Sequence, residues 1–379
     1  VTERIGLWLN GARGSVATTA VGGLLALRAG LVPPTGCVTE LLDADLPPWD
    51  AFVVGGHDIA STPLGKRVES LVRDGVLPHD VAGGIGSGLD AVDAEIRPGY
   101  DPAASHGSQA DAAARLAADI ADFRARHGLA RVVVVNVAST EPAARVPHDS
   151  LAALEEALAV PGNVVLPPSS LVAYAAFQAG CAFVDFTPST GVALPALDEL
   201  ARAKSLPYAG RDGKTGETLL RSALAPMFTS RALRVLSWSG TNLLGGGDGA
   251  TLENPAHAES KVASKARGLA ALLGEGVTAP LHIDHVPDLG ERKTAWDHVS
   301  FEGFLGARMS LQLTWSGLDS SLAAPLVLDL ARLVAAAHAA GRVGAQGALA
   351  FFFKDPLGSD EHRLAEQARE LHEWARGLA

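Results

Sequence analysis

Over the first half of the chain, short apolar runs that stop at small polar residues alternate with segments of helical spacing. The run Ile5-Gly6-Leu7-Trp8-Leu9 ends in Asn10-Gly11-Ala12-Arg13-Gly14-Ser15, and Val16 to Arg28 follows with helical composition. This predicts a strand, a tight turn and a helix. Ala51 to Val54 runs into Gly55-Gly56-His57-Asp58, Val132 to Val137 into Ala138-Ser139-Thr140-Glu141, and Ala182 to Phe186 into Thr187-Pro188-Ser189-Thr190. Helices are predicted at Ala110 to Arg126, Ser150 to Ala159 and Pro195 to Lys204. Continuous apolar strands alternating with helices give an α/β fold, a doubly wound, Rossmann-like parallel sheet covered on both faces. Ligands bind such sheets beyond the carboxyl ends of the strands, so the polar tips are expected to line one crevice. The stretch 60–108, rich in Gly, Pro and Asp, reads as an insertion of helices and loops without chemistry.

From about Arg231 the pattern changes. Arg234 to Ser239, Leu281 to Val286 and Met309 to Trp315 alternate apolar with polar positions, as half-buried strands do. A second, more antiparallel unit is expected there. Ser321 to Ala340 returns to helix and is almost wholly apolar from Leu326 to Val334, which suits a buried helix packing back on the first sheet.

With 379 residues, 47% of them hydrophobic and 19% charged, the chain can bury a full core and divide into two domains. Neither a membrane-spanning run nor a leader segment is read in it, so a cytoplasmic protein without a membrane partner is expected. A net charge of -11 argues against nucleic acid as a partner, because counterion release needs a continuous basic face. Cys37 and Cys181 stand among apolar neighbours and read as buried thiols. Arginine far outnumbers lysine, and five of the seven lysines, Lys214, Lys261, Lys265, Lys293 and Lys354, fall in the later part of the chain. A lysine kept where arginine is preferred suggests a role for a compact ammonium able to lose its proton.

Two glycine-punctuated loops, Tyr208 to Thr218 and Ser239 to Gly249, concentrate polar groups and allow close backbone approach to a ligand. Lys261 and Lys265 stand four apart, so on a helix both ammonium groups share a face and would hold an anion between them. Lys354 follows the apolar Phe351-Phe352-Phe353 and is a candidate proton donor or acceptor, whereas Lys214 reads as a loop or phosphate contact. His282 and His285 flank a strand with Asp284, but a third metal ligand is lacking.

These motifs together resemble the myo-inositol-1-phosphate synthase family over essentially the whole chain. The resemblance rests on Asn10 to Thr19, Gly55 to Asp58, Asn136 to Glu141, Phe186 to Thr190, Gly213 to Leu219, Ser239 to Gly249, Lys293 to His298 and Asp319 to Pro325. It implies a split NAD-binding, Rossmann-like domain over 1–230 and 318–379, an inserted α+β catalytic and oligomerisation domain over 231–317, and a homotetramer. By the resemblance, Lys261, Lys265, Lys293 and Lys354 match the family's active-site lysines, with Asp212, Asn242, Leu244, Asp248 and Asp319 at matching positions beside them. The implied cofactor-binding set is Gly11, Ala12, Arg13, Gly14, Ser15, Val16, His57, Asp58, Ala138, Ser139, Thr140, Thr187, Thr215, Asp319 and Ser320. A mono- or divalent cation is an additional expectation, without assigned ligands.

The reaction this implies oxidises C5 of a sugar 6-phosphate, enolises towards C6, closes a carbocycle by intramolecular aldol attack and reduces the C5 ketone with the same NADH. Glucose 6-phosphate would give myo-inositol 1-phosphate. Two departures adjoin the site: Arg292 stands where the family pattern has an aromatic residue, and Ser316-Gly317-Leu318 where it has Gln-Gly-Cys. The same chemistry on fructose 6-phosphate would close a five-membered ring, as in carbocyclic nucleoside biosynthesis, and the sequence leaves both substrates open.

Overall fold

The computed structural model describes residues 3–142, 144, 146, 148–245, 269–274 and 276–378. Lys261, Lys265 and Asp248 therefore lie outside the described residues. The first sheet uses β1 (Ile5–Asn10), β2 (Phe52–Asp58), β3 (Ile96–Pro98), β4 (Arg131–Asn136), β5 (Ala182–Asp185), β6 (Pro207–Gly210) and β11 (Gly344–Ala345). Its order is β11-β6-β5-β4-β1-β2-β3, with every pairing parallel.

The chain order reverses at β1, which lies between β2 and β4, and that reversal opens a crevice at the carboxyl ends. Register brings the tips level: Asn10 stands opposite His57 on one side and Asn136 on the other. Period-two alternation explains why the strands are apolar throughout. Leu7, Leu9, Val133 and Val135 face one layer, where α1 (Ser15–Arg28) and α10 (Asp319–Ala339) pack. Trp8, Val132 and Val134 face the other, against α5 (Gln109–His127) and α7 (Pro168–Gln178). Each fully buried leucine or valine contributes about 2 kcal/mol by leaving water.

Among the described residues α10 is the one helix long and apolar enough to cross a membrane, and 72% of its apolar window is buried inside the molecule. It is a core helix here, and it exceeds the apolar run length read from the sequence. The stretch 60–108 forms the expected helices, α2 (Leu64–Arg73), α3 (His79–Gly84) and α4 (Gly86–Asp93), but it also contributes β3, a strand outside that expectation that extends the sheet.

The second sheet has the order β10-β9-β7-β8, from β7 (Arg234–Leu244), β8 (Leu281–His285), β9 (Arg292–Glu302) and β10 (Arg308–Leu318). β7 and β8 run parallel, while the β7–β9 and β9–β10 pairs are antiparallel. One face packs Trp238 and Val299 on Ala225 and Phe228 of α9 (Gly216–Ser230). β7 continues through Leu244, so the predicted glycine loop loses its first six residues to a strand.

Candidate active site

At the tip of β1 the backbone turns at Gly11, whose φ of +85 favours glycine. A Cβ there would lie 2.6 Å from Cα of Ala138, so the turn rests directly on the tip beyond β4. The Gly11 and Ala12 N–H groups donate to the His57 carbonyl at 2.9 and 3.2 Å, which ties the turn to β2. Gly14 caps α1 in an extended conformation without a side-chain bond, leaving the first-turn N–H groups to an anion. At the β2 tip, Asp58 Oδ2 accepts from Arg13 N and Oδ1 from Ala60 N, both at 2.7 Å. A carboxylate at this strand end is where dinucleotide folds bind the ribose hydroxyls.

Opposite stand two ion pairs. Lys354 Nζ donates to Asp212 Oδ1 at 2.8 Å, with both side chains nearly buried. Backbone bonds hold that pair: Lys354 N donates to Asp212 O at 2.7 Å, Lys214 N to Phe352 O at 2.8 Å, and Asp212 N to Thr187 O at 3.0 Å. Thus the 211–214 loop is fixed between the β5 tip and the 352–355 segment. Lys293 Nζ donates to Asp319 Oδ2 at 3.3 Å, joining β9 to the first residue of α10. Four residues along β9, Asp297 accepts from Arg221 Nη2 at 2.9 Å and Trp238 Nε1 at 2.7 Å, while Glu217 lies 2.5 Å from the same guanidinium nitrogen. Burial pushes the Asp297 carboxyl up, and Arg221 opposes it.

One cavity of about 740 Å³ joins both sides. Its walls include Gly11, Arg13, Gly14, Ser15, Val16, Asp58, Ala138, Ser139, Thr140, Thr187, Thr215 and Ser320 from the cofactor set, and Lys293, Lys354, Asp212, Leu244 and Asp319 from the catalytic set. Three expectations fall elsewhere. The Ala12 side chain is buried behind the turn. The His57 ring points away from the crevice: Trp8 Nε1 donates to Nδ1 at 3.0 Å, so Nε2 carries the proton and faces Asp119 Oδ2 at 3.1 Å. Burial lowers the His57 pKa, and the bond to Asp119 works against that shift. Asn242 lies on β7 two residues from Leu244, 1% exposed, and among the described residues neither of its amide atoms has a partner. Leaving such a group unpaired costs about 1–3 kcal/mol.

Lys214 does not reach the cavity as a phosphate contact. Its ammonium is buried against Gln367 Oε1 of α11 (Leu364–Arg376), and burial pushes it down to about 7. The thiols of Cys37 and Cys181 are both buried, and burial pushes each up to about 12.

Sequence reasoning missed Glu291, which accepts from Ser15 Oγ at 2.6 Å and Ser320 Oγ at 3.0 Å and so bridges the starts of α1 and α10. Its only signal was adjacency to the Arg292-Lys293 motif. Arg67 and Tyr100 also line the cavity, although their stretch carried no chemistry in the sequence reading. Arg67 Nε donates to Arg13 O at 3.1 Å, which braces the dinucleotide turn from α2. Among the described residues no group of three or more His, Cys, Asp or Glu side chains could hold a metal ion.

The sequence pattern of the family described as myo-inositol-1-phosphate synthase matches residues 5–376. Inositol-3-phosphate synthase 1 of Bacteroides thetaiotaomicron is 34% identical over 96% of this chain and 91% of its own length. Inositol-3-phosphate synthase of Drosophila melanogaster is 30% identical over 74% of this chain, which spans 53% of that protein. The crystal structure of inositol-3-phosphate synthase from Caenorhabditis elegans superposes with a TM-score of 0.87 at 21% identity, covering 100% of this chain and 86% of that one, and so shares the fold. Residues 5–376, nearly the entire length, thus place this chain in the myo-inositol-1-phosphate synthase family.

Proposed function

We propose that the chain cyclises glucose 6-phosphate to an inositol phosphate. The observation that carries this reading is the meeting of two lysine–aspartate pairs, Lys354–Asp212 and Lys293–Asp319, with the dinucleotide turn in one cavity. The crevice fits NAD, with the Gly11 turn and first turn of α1 for the pyrophosphate and Asp58 for a ribose. Bound there, NAD supplies reversible hydride acceptance at C5 of the sugar.

Once C5 is a ketone, the C6 protons are acidic and C6 can attack the C1 aldehyde. Each step puts negative charge on a carbonyl oxygen, first at C5 and then at C1. Lys293 and Lys354 supply cations and proton donors for those oxygens, and Asp319 and Asp212 hold the ammonium groups in place. Asn242 lies behind Leu244 on β7, outside the cavity lining, and receives no contact with the sugar in this reading. Lys261 and Lys265 are assigned to the phosphate by their four-residue spacing, and the resemblance counts both among the active-site lysines. In this reading the four-stranded sheet also carries assembly into a tetramer, and light scattering of the purified protein tests that.

Arg292 lines the cavity beside Lys293, and this favours a second reading. A guanidinium in place of an aromatic ring changes the charge of the pocket next to the reacting group, so fructose 6-phosphate and a five-membered product are the alternative. Incubation with NAD and each sugar phosphate separately, with products identified by NMR and mass spectrometry, decides. A six-membered cyclitol phosphate from glucose 6-phosphate, with no accumulating NADH, is expected. A cyclised product from fructose 6-phosphate alone would replace the first reading with the second, and steady NADH release would overturn both.

A further inference from the structure

Below the crevice, at the end of β5, Asp185 is wholly buried. Its Oδ1 accepts from Asn136 Nδ2 at 3.0 Å, from Thr187 Oγ1 at 2.9 Å and from Thr187 N at 3.2 Å. Asn136 in turn accepts from Asn10 Nδ2 at 2.8 Å, and the Thr187 carbonyl accepts from Asp212 N at 3.0 Å. One carboxyl oxygen therefore gathers the tips of β1, β4 and β5 and the loop that holds Asp212 to Lys354. The other oxygen, Oδ2, is buried and among the described residues has no hydrogen-bond partner. It fills the space beside Gly191, where a Cβ would fall 1.5 Å from it.

A carboxylate in this setting would bury a full negative charge with one oxygen unsolvated, whereas a carboxylic acid buries only a hydroxyl. The charged groups facing it are few. Arg211 attracts it, but that guanidinium is already bound to Asp355 at 2.7 Å; β4 presents the Asn136 amide, and the turn at Gly191 meets the Ser169 hydroxyl, which the buried Glu141 holds on its far side.

We infer that Asp185 is a positioning residue of the NAD crevice, working as a neutral carboxylic acid whose carbonyl oxygen locks three strand tips into one edge. Burial pushes its carboxyl up to about 7, against the bonds from Asn136 and Thr187. The sign follows. Below that pH the acid is neutral and the edge is held. As pH rises through it the carboxylate forms, and the Thr187 and Gly191 segments must shift to bring it a partner. Thr187 lines the crevice, so cofactor binding weakens as the medium becomes more alkaline.

Calorimetric titration with NAD, on the wild type and on Asp185→Asn and Asp185→Ala, tests this without requiring turnover, so the result is independent of which sugar phosphate is cyclised. Asn keeps the carbonyl acceptor and cannot ionise. Between about pH 6 and about pH 8.5 the wild-type Kd is expected to weaken about tenfold, while Asp185→Asn matches wild type at the lower pH and stays flat. Asp185→Ala, which removes the acceptor, should bind weakly at both. An Asp185→Asn variant that is folded by circular dichroism yet shows the wild-type pH slope would overturn the inference. So would one that is folded and binds NAD poorly at the lower pH. If Asp185→Ala fails to fold, the Asp185→Asn slope decides alone.

Discussion

On the wall formed by β1, β2 and α1, the groups offered to a ligand are mostly backbone: the Gly11 turn, the uncapped start of α1 and the tip at Ala138. On the wall formed by β7, β9 and the 352–355 segment, they are side chains, above all two ammonium–carboxylate pairs. The first wall follows from the topology of the sheet, because any reversal of strand order between β2 and β4 leaves a crevice lined by N–H groups. The second follows from no single element, since Lys354, Asp212, Lys293 and Asp319 come from four separate segments. In the proposed reaction, binding geometry is thus supplied by the fold, and reactivity by a small number of side chains brought to it.

The largest expected effect lies on the side-chain wall. Lys354→Ala or Lys293→Ala should each lower turnover about a thousandfold, the range of a lost general acid or base, with NAD affinity within about twofold of wild type. Equal loss of NAD affinity, read by calorimetry, would show that the walls are not separable. Next is Gly11→Ala, which strains a positive φ and drives a methyl group into Ala138, so NAD affinity should drop about a hundredfold. Turnover at saturating NAD should survive, and its collapse would break the division.

Smaller is Asp58→Ala, which removes the carboxylate proposed for the ribose. NAD affinity should weaken about tenfold and the gap between NAD and NADP should narrow; an unchanged ratio would contradict that role. The smallest effect is on stability, at Lys214→Met. The native ammonium is pushed down to about 7 from an ordinary 10.5, so its desolvation cost is fully present below 7 and fades as pH rises towards 10.5. Thermal unfolding should show the variant gaining a few degrees at about pH 6 and less at about pH 9, and a gain that grows with pH would contradict the sign.

The parallel sheet was legible because β1, β4 and β5 are apolar on both faces and end in small polar residues. What escaped did so for physical reasons. β9 places Lys293 and Asp297 on its inward face with only Ala295 between them, so its buried side reads as polar and no strand is apparent. Strand alternation also explains His57: Asp58 faces the crevice, which turns the preceding ring towards Trp8 and α5. Three of the four residues of β6, Tyr208 to Gly210, were hidden inside a segment read as loop. Arg67 and Tyr100 reach the cavity through tertiary packing, which no local spacing encodes. Lys293 and Lys354 were legible because lysine is scarce here, but their partners Asp319 and Asp212 were identified by resemblance and not by spacing.

In the proposed reaction, oxidation, ring closure and reduction occur in one site, with the hydride returning to the molecule that gave it. Glucose 6-phosphate deuterated at C5, incubated with catalytic NAD and followed by NMR, tests it most directly. The expected product is a cyclised phosphate that retains the deuterium on the carbon derived from C5, with no NADH accumulating. Deuterium collecting in free reduced cofactor, with an uncyclised 5-keto sugar phosphate as the product, would contradict it.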